Sequence, residues 1–280
     1  MTRVLILWAG IGLLTGSPLL AHLGDRLLVI PELPTAELPD VTDGDLQDWN
    51  STPVAFDHTD MLVNGVSHTR VDPIDTSARV FLAWNHASQR LYAGIEIIDD
   101  IANDFDGLAF MIDGDHSGAP YNYNPSSADQ LEQMTQAQYY QFNPTRPPGG
   151  RFFRNIGFVN WAYTPEWIDP SFSVQGQAPI TTTVEFSVVP WNLLLQEQEQ
   201  SQPAKLHEGQ IIGLQLVIFE ADQSLEGQRS LGAAWAGDLN FTNHTQMFAD
   251  ALLLSCQHLD CSAAATAVQP QSWARIKVSF

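Results

Sequence analysis

Residues 79–98 read RVFLAWNHASQRLYAGIEII, and this stretch decides the fold. Val80, Leu82 and Trp84 alternate with other residues at period two, and so do Leu91, Ala93, Ile95 and Ile97, so each half puts one apolar face toward a core. The short polar connection Asn85–Gln89 joins them as an antiparallel hairpin. Further strands follow outward from it. Gly107–Ile112 carries Leu108, Phe110 and Ile112 on one side, and Thr181–Val189 is a β-branched run that Pro190 ends. Ile211–Phe219 is apolar on both faces, as a central strand is. Phe248–Leu254 and Ala274–Phe280 complete the set. Pro31, Pro34 and Pro39 make residues 22–40 an edge strand or an extended lead-in, not a helix. Short helices are expected only at Ala128–Tyr140 and Trp191–Gln200. The pattern is all-β: an antiparallel β-sandwich, jelly-roll-like, over residues 41–255, with long irregular loops and little helix. The terminal ARIKVSF alternates as the last strand of an outer-membrane barrel does, but such a barrel needs alternation in every strand, and Ile211–Phe219 breaks it.

The charge narrows the function classes. The 280 residues hold 32 Asp and Glu against 12 Lys and Arg, a formal net charge of -20. Nucleic acid selects clustered basic residues and anionic membranes do the same, so both are disfavoured as partners. Only 16% of residues are charged and 44% are hydrophobic, which excludes a disordered chain. At the N-terminus Arg3 precedes an uncharged apolar run from Val4 to Leu20, with Pro18 ahead of Ala21. This is the layout of a signal peptide over 1–21, and the expected location is extracytoplasmic or secreted; an uncleaved anchor is the alternative. Cys256 and Cys261 are the two cysteines, and in an exported protein they are expected to form a local disulfide within the segment 256–280. A metal site that includes His258 is the alternative.

Between Leu91 and Asn143 there is no Lys or Arg. Asp99, Asp100, Asp104 and Asp106 sit on one short connection, and Asp113 and Asp115 follow the next strand with the Asp-x-Asp spacing and glycine that calcium loops use. Calcium takes six to eight hard oxygens, which Asp side chains and backbone carbonyls supply. Calcium is therefore expected at these aspartates, against the alternative of solvated acidic turns.

Five segments in order carry a family resemblance. They are DGDLQDW (43–49), FLAWNHASQRLYAGIEIIDD (81–100), DGLAFMIDGDHSG (106–118), TVEFSVVPWNLL (183–194) and FADALLL (248–254). Together they resemble the carbohydrate-binding modules of family 9 and their relatives. The resemblance implies a sugar-binding β-sandwich, often with structural calcium, in which the 43–49 motif opens the first sandwich strand. The stretch 120–175 is longer than a minimal module of that kind.

Sugar rings present an apolar C–H face that stacks on flat indoles or phenols, while polar groups bond the hydroxyls. Trp49, Trp84 and Trp191 lie in strand motifs and read as core. Trp161, Tyr163 and Trp167, with Pro165 and Glu166 among them, read as a loop that displays rings, and Trp235 in GAAWAGD as a second platform. The alternative is that these rings seal loops onto the sandwich. No catalytic motif or ordered triad appears, so an enzyme is not expected. The sequence therefore points to a non-catalytic binder of polysaccharide or oligosaccharide. The alternative is a structural or surface-assembly protein whose C-terminal segment engages a protein partner.

Overall fold

Residues 27–63, 76–101, 104, 106–119, 137–146, 152–154, 159–220, 229–232 and 245–255 are described in a computed structural model. In chain order the strands are β1 (Leu27–Glu32), β2 (Val54–Asp57), β3 (Leu62–Val63), β4 (Thr76–Asn85), β5 (Arg90–Asp99), β6 (Gly107–Asp113), β7 (Gln138–Phe142) and β8 (Phe152–Arg154). They continue with β9 (Ile168–Gly176), β10 (Ile180–Val188), β11 (Trp191–Leu193), β12 (Gln202–Pro203), β13 (Ile211–Glu220), β14 (Arg229–Gly232) and β15 (Ala249–Ser255).

The 79–98 hairpin forms in the expected register, with Val80 opposite Ile95, Leu82 opposite Ala93 and Trp84 opposite Leu91. β10 adds Val184, Phe186 and Val188 to the same face, and β9 follows it at the edge of the sheet. On the other wing β6 pairs with β13 and β7, setting Phe110 between Leu216 and Tyr140. The two wings stack face to face. Phe186 meets Phe110 edge-on at 5.0 Å between ring centroids and lies stacked on Phe142 at 5.0 Å.

The layers are not two separate sheets. One path of hydrogen bonds runs β8-β7-β6-β13-β15-β1-β4-β5-β10-β9, so a single curled sheet makes both faces. β1 is the seam. It pairs along its whole length with β15 and reaches β4 through Glu32 and Trp84, in parallel on both sides. Two expectations are corrected here: the sheet is mixed, and the proline-rich lead-in contributes an interior strand. Pro31, which has no N–H to donate, is tolerated because it faces the β4 side, where pairing begins only beyond it, at Glu32 opposite Trp84 and with the Leu33 N–H donating to the Trp84 carbonyl. Nearer the opposite end of the same side, β14 and β3 pair with each other, β14 joins β13, and β2 joins β4. The chain from β2 to β3 thus crosses between the wings.

Both expected helices are corrected as well. Gln138–Phe142 is a strand because its aromatic residues pair across β6, and residues 128–136 lie outside the described residues. Trp191–Leu193 pairs with β12, leaving one 3-10 turn at Gln198–Gln200; burial of Trp191 and Leu194 outweighs local helix preference. The 43–49 motif does not open a strand. It leads into a 3-10 helix, Leu46–Ser51, capped by the Asp45 carboxylate on the Gln47 N–H. This segment lies as a strap over the outer face of the β4–β5–β10 layer. There Leu33, Val41, Trp49, Phe81, Ala83 and Tyr92 form a second, smaller core.

Gly94 makes that docking possible. A Cβ at this position would stand 2.7 Å from Trp49 Cε2 and 2.8 Å from Leu46 Cδ2, so only glycine lets the indole lie against the strand. Gly94→Val is expected to cost about 1–3 kcal/mol in urea unfolding, although valine otherwise favours a strand.

Candidate functional site

The aromatic loop folds as a single 3-10 turn, Asn160–Tyr163, followed by a tight turn into β9 in which Trp167 and Ile168 donate to the Thr164 carbonyl. Trp161 and Trp167 are each half-buried and pack against the main core. Their rings meet edge-on at 5.8 Å, and each meets Trp191 at 4.9 Å, giving a cluster of three indoles. Trp161 Nε1 donates to the carbonyls of Gln196 (3.0 Å) and Leu195 (3.2 Å), so its ring is held by backbone as well as by packing. Tyr163 turns the other way. It is 7% exposed, its hydroxyl donates to the Tyr139 carbonyl, and its ring meets Tyr140 edge-on at 5.6 Å. Tyr163 is thus a core residue in place of the stacking face expected of it. Trp49, Trp84 and Trp191 are buried, as expected of them, with Trp49 on the 3-10 helix and the other two on strands. Trp235, like Cys256 and Cys261, lies outside the described residues.

The loop that holds Trp161 also borders a groove. Leu195 N–H donates to the Ser201 hydroxyl, and Ser201 and Asn192 line an open cavity of about 650 Å³ together with Asp115, Lys205, His207 and Gln210. No spacing in the sequence marks this groove, because its lining comes from the 113–118 turn, β11 and the 201–211 connection.

The aspartates separate into two groups. Asp99, Asp104 and Asp106 lie before β6, while Asp113 and Asp115 lie at its far end, about 20 Å away at ~3.3 Å per residue. Asp100 is exposed. Asp99 accepts from the Ile101 N–H at 3.0 Å, and Asp99 and Asp106 line a small pocket between the wings with Thr76, Thr182 and Glu220. At the other end Asp113 is fully buried and accepts from the N–H groups of Ser117 (3.3 Å) and Gly118 (2.9 Å), and Asp115 accepts from Ser117 at 3.1 Å. Burial, and then the Asp113 side chain, push the Asp115 carboxyl up from its ordinary value. His116, at φ 55°, reaches Asp250 on β15 at 2.8 Å. The turn thus satisfies its own carboxylates with backbone N–H groups. Among the described residues no three His, Cys, Asp or Glu side chains are grouped to hold a metal ion.

A third constellation lies under the strap. Trp49 Nε1 donates to Glu185 Oε1 at 2.6 Å, and Glu185, opposite Gly94 on the neighbouring strand, is fully buried. Burial, with Asp48 and Asp43 nearby, pushes its carboxyl up to about 7. Beyond the edge of the strap the sheet opens into a cleft of about 450 Å³, lined by Asp43, Asn50, Arg79, Glu96, Ser173 and Thr183, where Arg79 is paired with Glu96 at 2.9 Å. Sequence reasoning missed Glu185. The available signal was an acid at the centre of the β-branched run Thr181–Val189.

No protein-family model matches this chain, and no curated protein matches it either. Solved structures do. A carbohydrate-binding module of family 9 from Caldicellulosiruptor kristjanssonii, in complex with cellotriose, superposes with a TM-score of 0.52 at 14% identity, covering 82% of this chain and 94% of that one. A family 9 module from the same organism, in complex with glucose, gives 0.53 at 15% identity, covering 82% and 96%. Among the described residues no helix is long and apolar enough to cross a membrane.

The Asp113 turn makes one quantitative expectation. Asp113→Ala leaves the part-buried Gly118 N–H without its carboxylate acceptor, while Ser117 N–H keeps Asp115, and is expected to lower stability by about 1–3 kcal/mol. The loss measured by chemical unfolding is expected to be equal in calcium and in chelator. The likeness to the solved modules is one of architecture: the chain has a fold like that of the family 9 carbohydrate-binding modules.

Proposed function

We propose that this is an exported, non-catalytic saccharide-binding protein in which Trp161 and Trp167 offer the stacking surface. The observation that carries the proposal is the three-indole cluster. Trp191 is buried beneath two half-buried indoles, and the backbone of 195–196 fixes one of them. A ring held this way loses little freedom on stacking against a sugar, which favours affinity. The adjoining groove brings hydroxyl, amide and ammonium groups from Ser201, Asn192, Gln210 and Lys205 within the same region, a suitable complement for sugar hydroxyls. The ligands of the similar solved modules, cellotriose and glucose, make β-glucans and their fragments the first candidates. The apolar N-terminal run with its single Arg3 supports export.

Affinity electrophoresis through gels containing soluble β-glucans tests the proposal. Retention is expected for the native chain, and Trp161→Ala or Trp167→Ala is expected to weaken it by about tenfold or more, a change of about 1.4 kcal/mol. Unchanged mobility of the native chain in every polysaccharide tried would overturn it.

A further inference from the structure

The contact between the strap and the sheet contains an acid where an apolar or neutral residue would pack at lower cost. Glu185 points out from the β10 face toward the strap, with Gly94 beside it on β5 and Ser171 beside it on β9. One carboxyl oxygen accepts from the Trp49 indole at 2.6 Å. The other is buried and has no donor, and the Asp43 carboxyl of the strap lies near the group. Two ionised carboxylates are both acceptors only, and a buried Glu185 beside Asp43 on the exposed strap is repelled by it. A single proton resolves both difficulties. A neutral Glu185 donates its O–H to Asp43 while its carbonyl oxygen still accepts from Trp49.

We propose that Glu185 is a proton-holding latch: protonated, it ties the 43–51 strap to the sheet through Trp49 and Asp43, and on ionisation it loosens the strap. The charges around it act in one direction. From the strap Asp43 and Asp48 face it, both acidic. From β5 the adjacent outward residue is Glu96, and from β4 it is Arg79, whose guanidinium is engaged by Glu96. β9 contributes the neutral Ser171. No described cation is placed against the carboxyl to stabilise its charge.

The direction with pH follows from linkage. Burial raises this carboxyl from 4.5 to about 7, so the folded chain keeps a proton that the unfolded chain has released. Stability from the group is whole below the unfolded value and falls as pH rises through the folded one. The strap is therefore tight in mildly acidic medium and loose above neutrality. Loosening it lifts Leu46 and Trp49 off Gly94, uncovers Phe81 and Tyr92, and widens the cleft lined by Asp43, Asn50 and Thr183.

The test is hydrogen exchange of strap amides in the full chain at about pH 5 and about pH 8.5, corrected for intrinsic exchange. Protection at Gln47–Ser51 is expected to fall by about tenfold or more between the two in the native chain. In Glu185→Gln, whose amide both accepts from Trp49 and donates to Asp43, it is expected to stay constant. Asp43→Asn supplies a donor to ionised Glu185, lets the charge form without releasing the strap, and is expected to shrink the fall in protection. A flat native profile, or a Glu185→Gln profile with the native slope, would overturn the latch. So would abolition of the native slope by millimolar calcium, because a cation would then be the group held between the carboxylates. The outcome is independent of retention on glucans, which reads the Trp161 cluster on another part of the molecule.

Discussion

The structure depends on one backbone constraint: buried N–H and C=O groups must be paired, and β1 is where the curled sheet meets it. Leu27–Glu32 lies between β15 and β4 and hydrogen-bonds to both, so the two wings are one sheet bent through a seam. Without β1, the side of β15 away from β13 and the Trp84 end of β4 would be unpaired edges on one side of the core. With it, Phe110, Phe142 and Phe186 are enclosed between layers whose backbones are continuous. The strap rides on the outer face of one wing, and the indole cluster grows from the loop that enters β9 and from β11, which follows β10.

The heavy acidic charge is handled locally and by different means. Asp113 and Asp115 are satisfied by backbone N–H groups of their own turn, a solution that fits burial because each N–H needs an acceptor as much as each carboxylate needs a donor. Glu96 is paired with Arg79. Glu185 has an indole N–H and a neighbouring acid, and its raised carboxyl follows from that company. Acidic residues that look alike in the sequence thus differ in role according to which donors the fold brings to them.

Much of the fold was legible because strand periodicity is a local property. The hairpin at 79–98, the run at 107–112 and the two-faced apolar strand at 211–220 all follow from side-chain alternation, and the register confirms each. Legibility failed where distant partners decided the outcome. Gln138–Phe142 and Trp191–Leu193 overlap the stretches expected to be helical, and pairing with β6 and β12 makes them strands. Pro31 suggested an edge, yet β15 continues alongside it. In the aromatic loop, composition correctly singled out a cluster of rings but could not sort them: Trp161 and Trp167 stay half-open while Tyr163, one residue between them, turns inward to Tyr140.

By itself, the sequence determined the class of structure, through period-two alternation, and the acidic character, through counts that no folding changes. The tertiary structure alone decided which acids share a pocket, which rings stay partly exposed and which strand closes the sheet. Those properties are set by contacts between residues far apart in the chain, such as Trp49 with Glu185 and Trp161 with Leu195, and no spacing along the sequence encodes them.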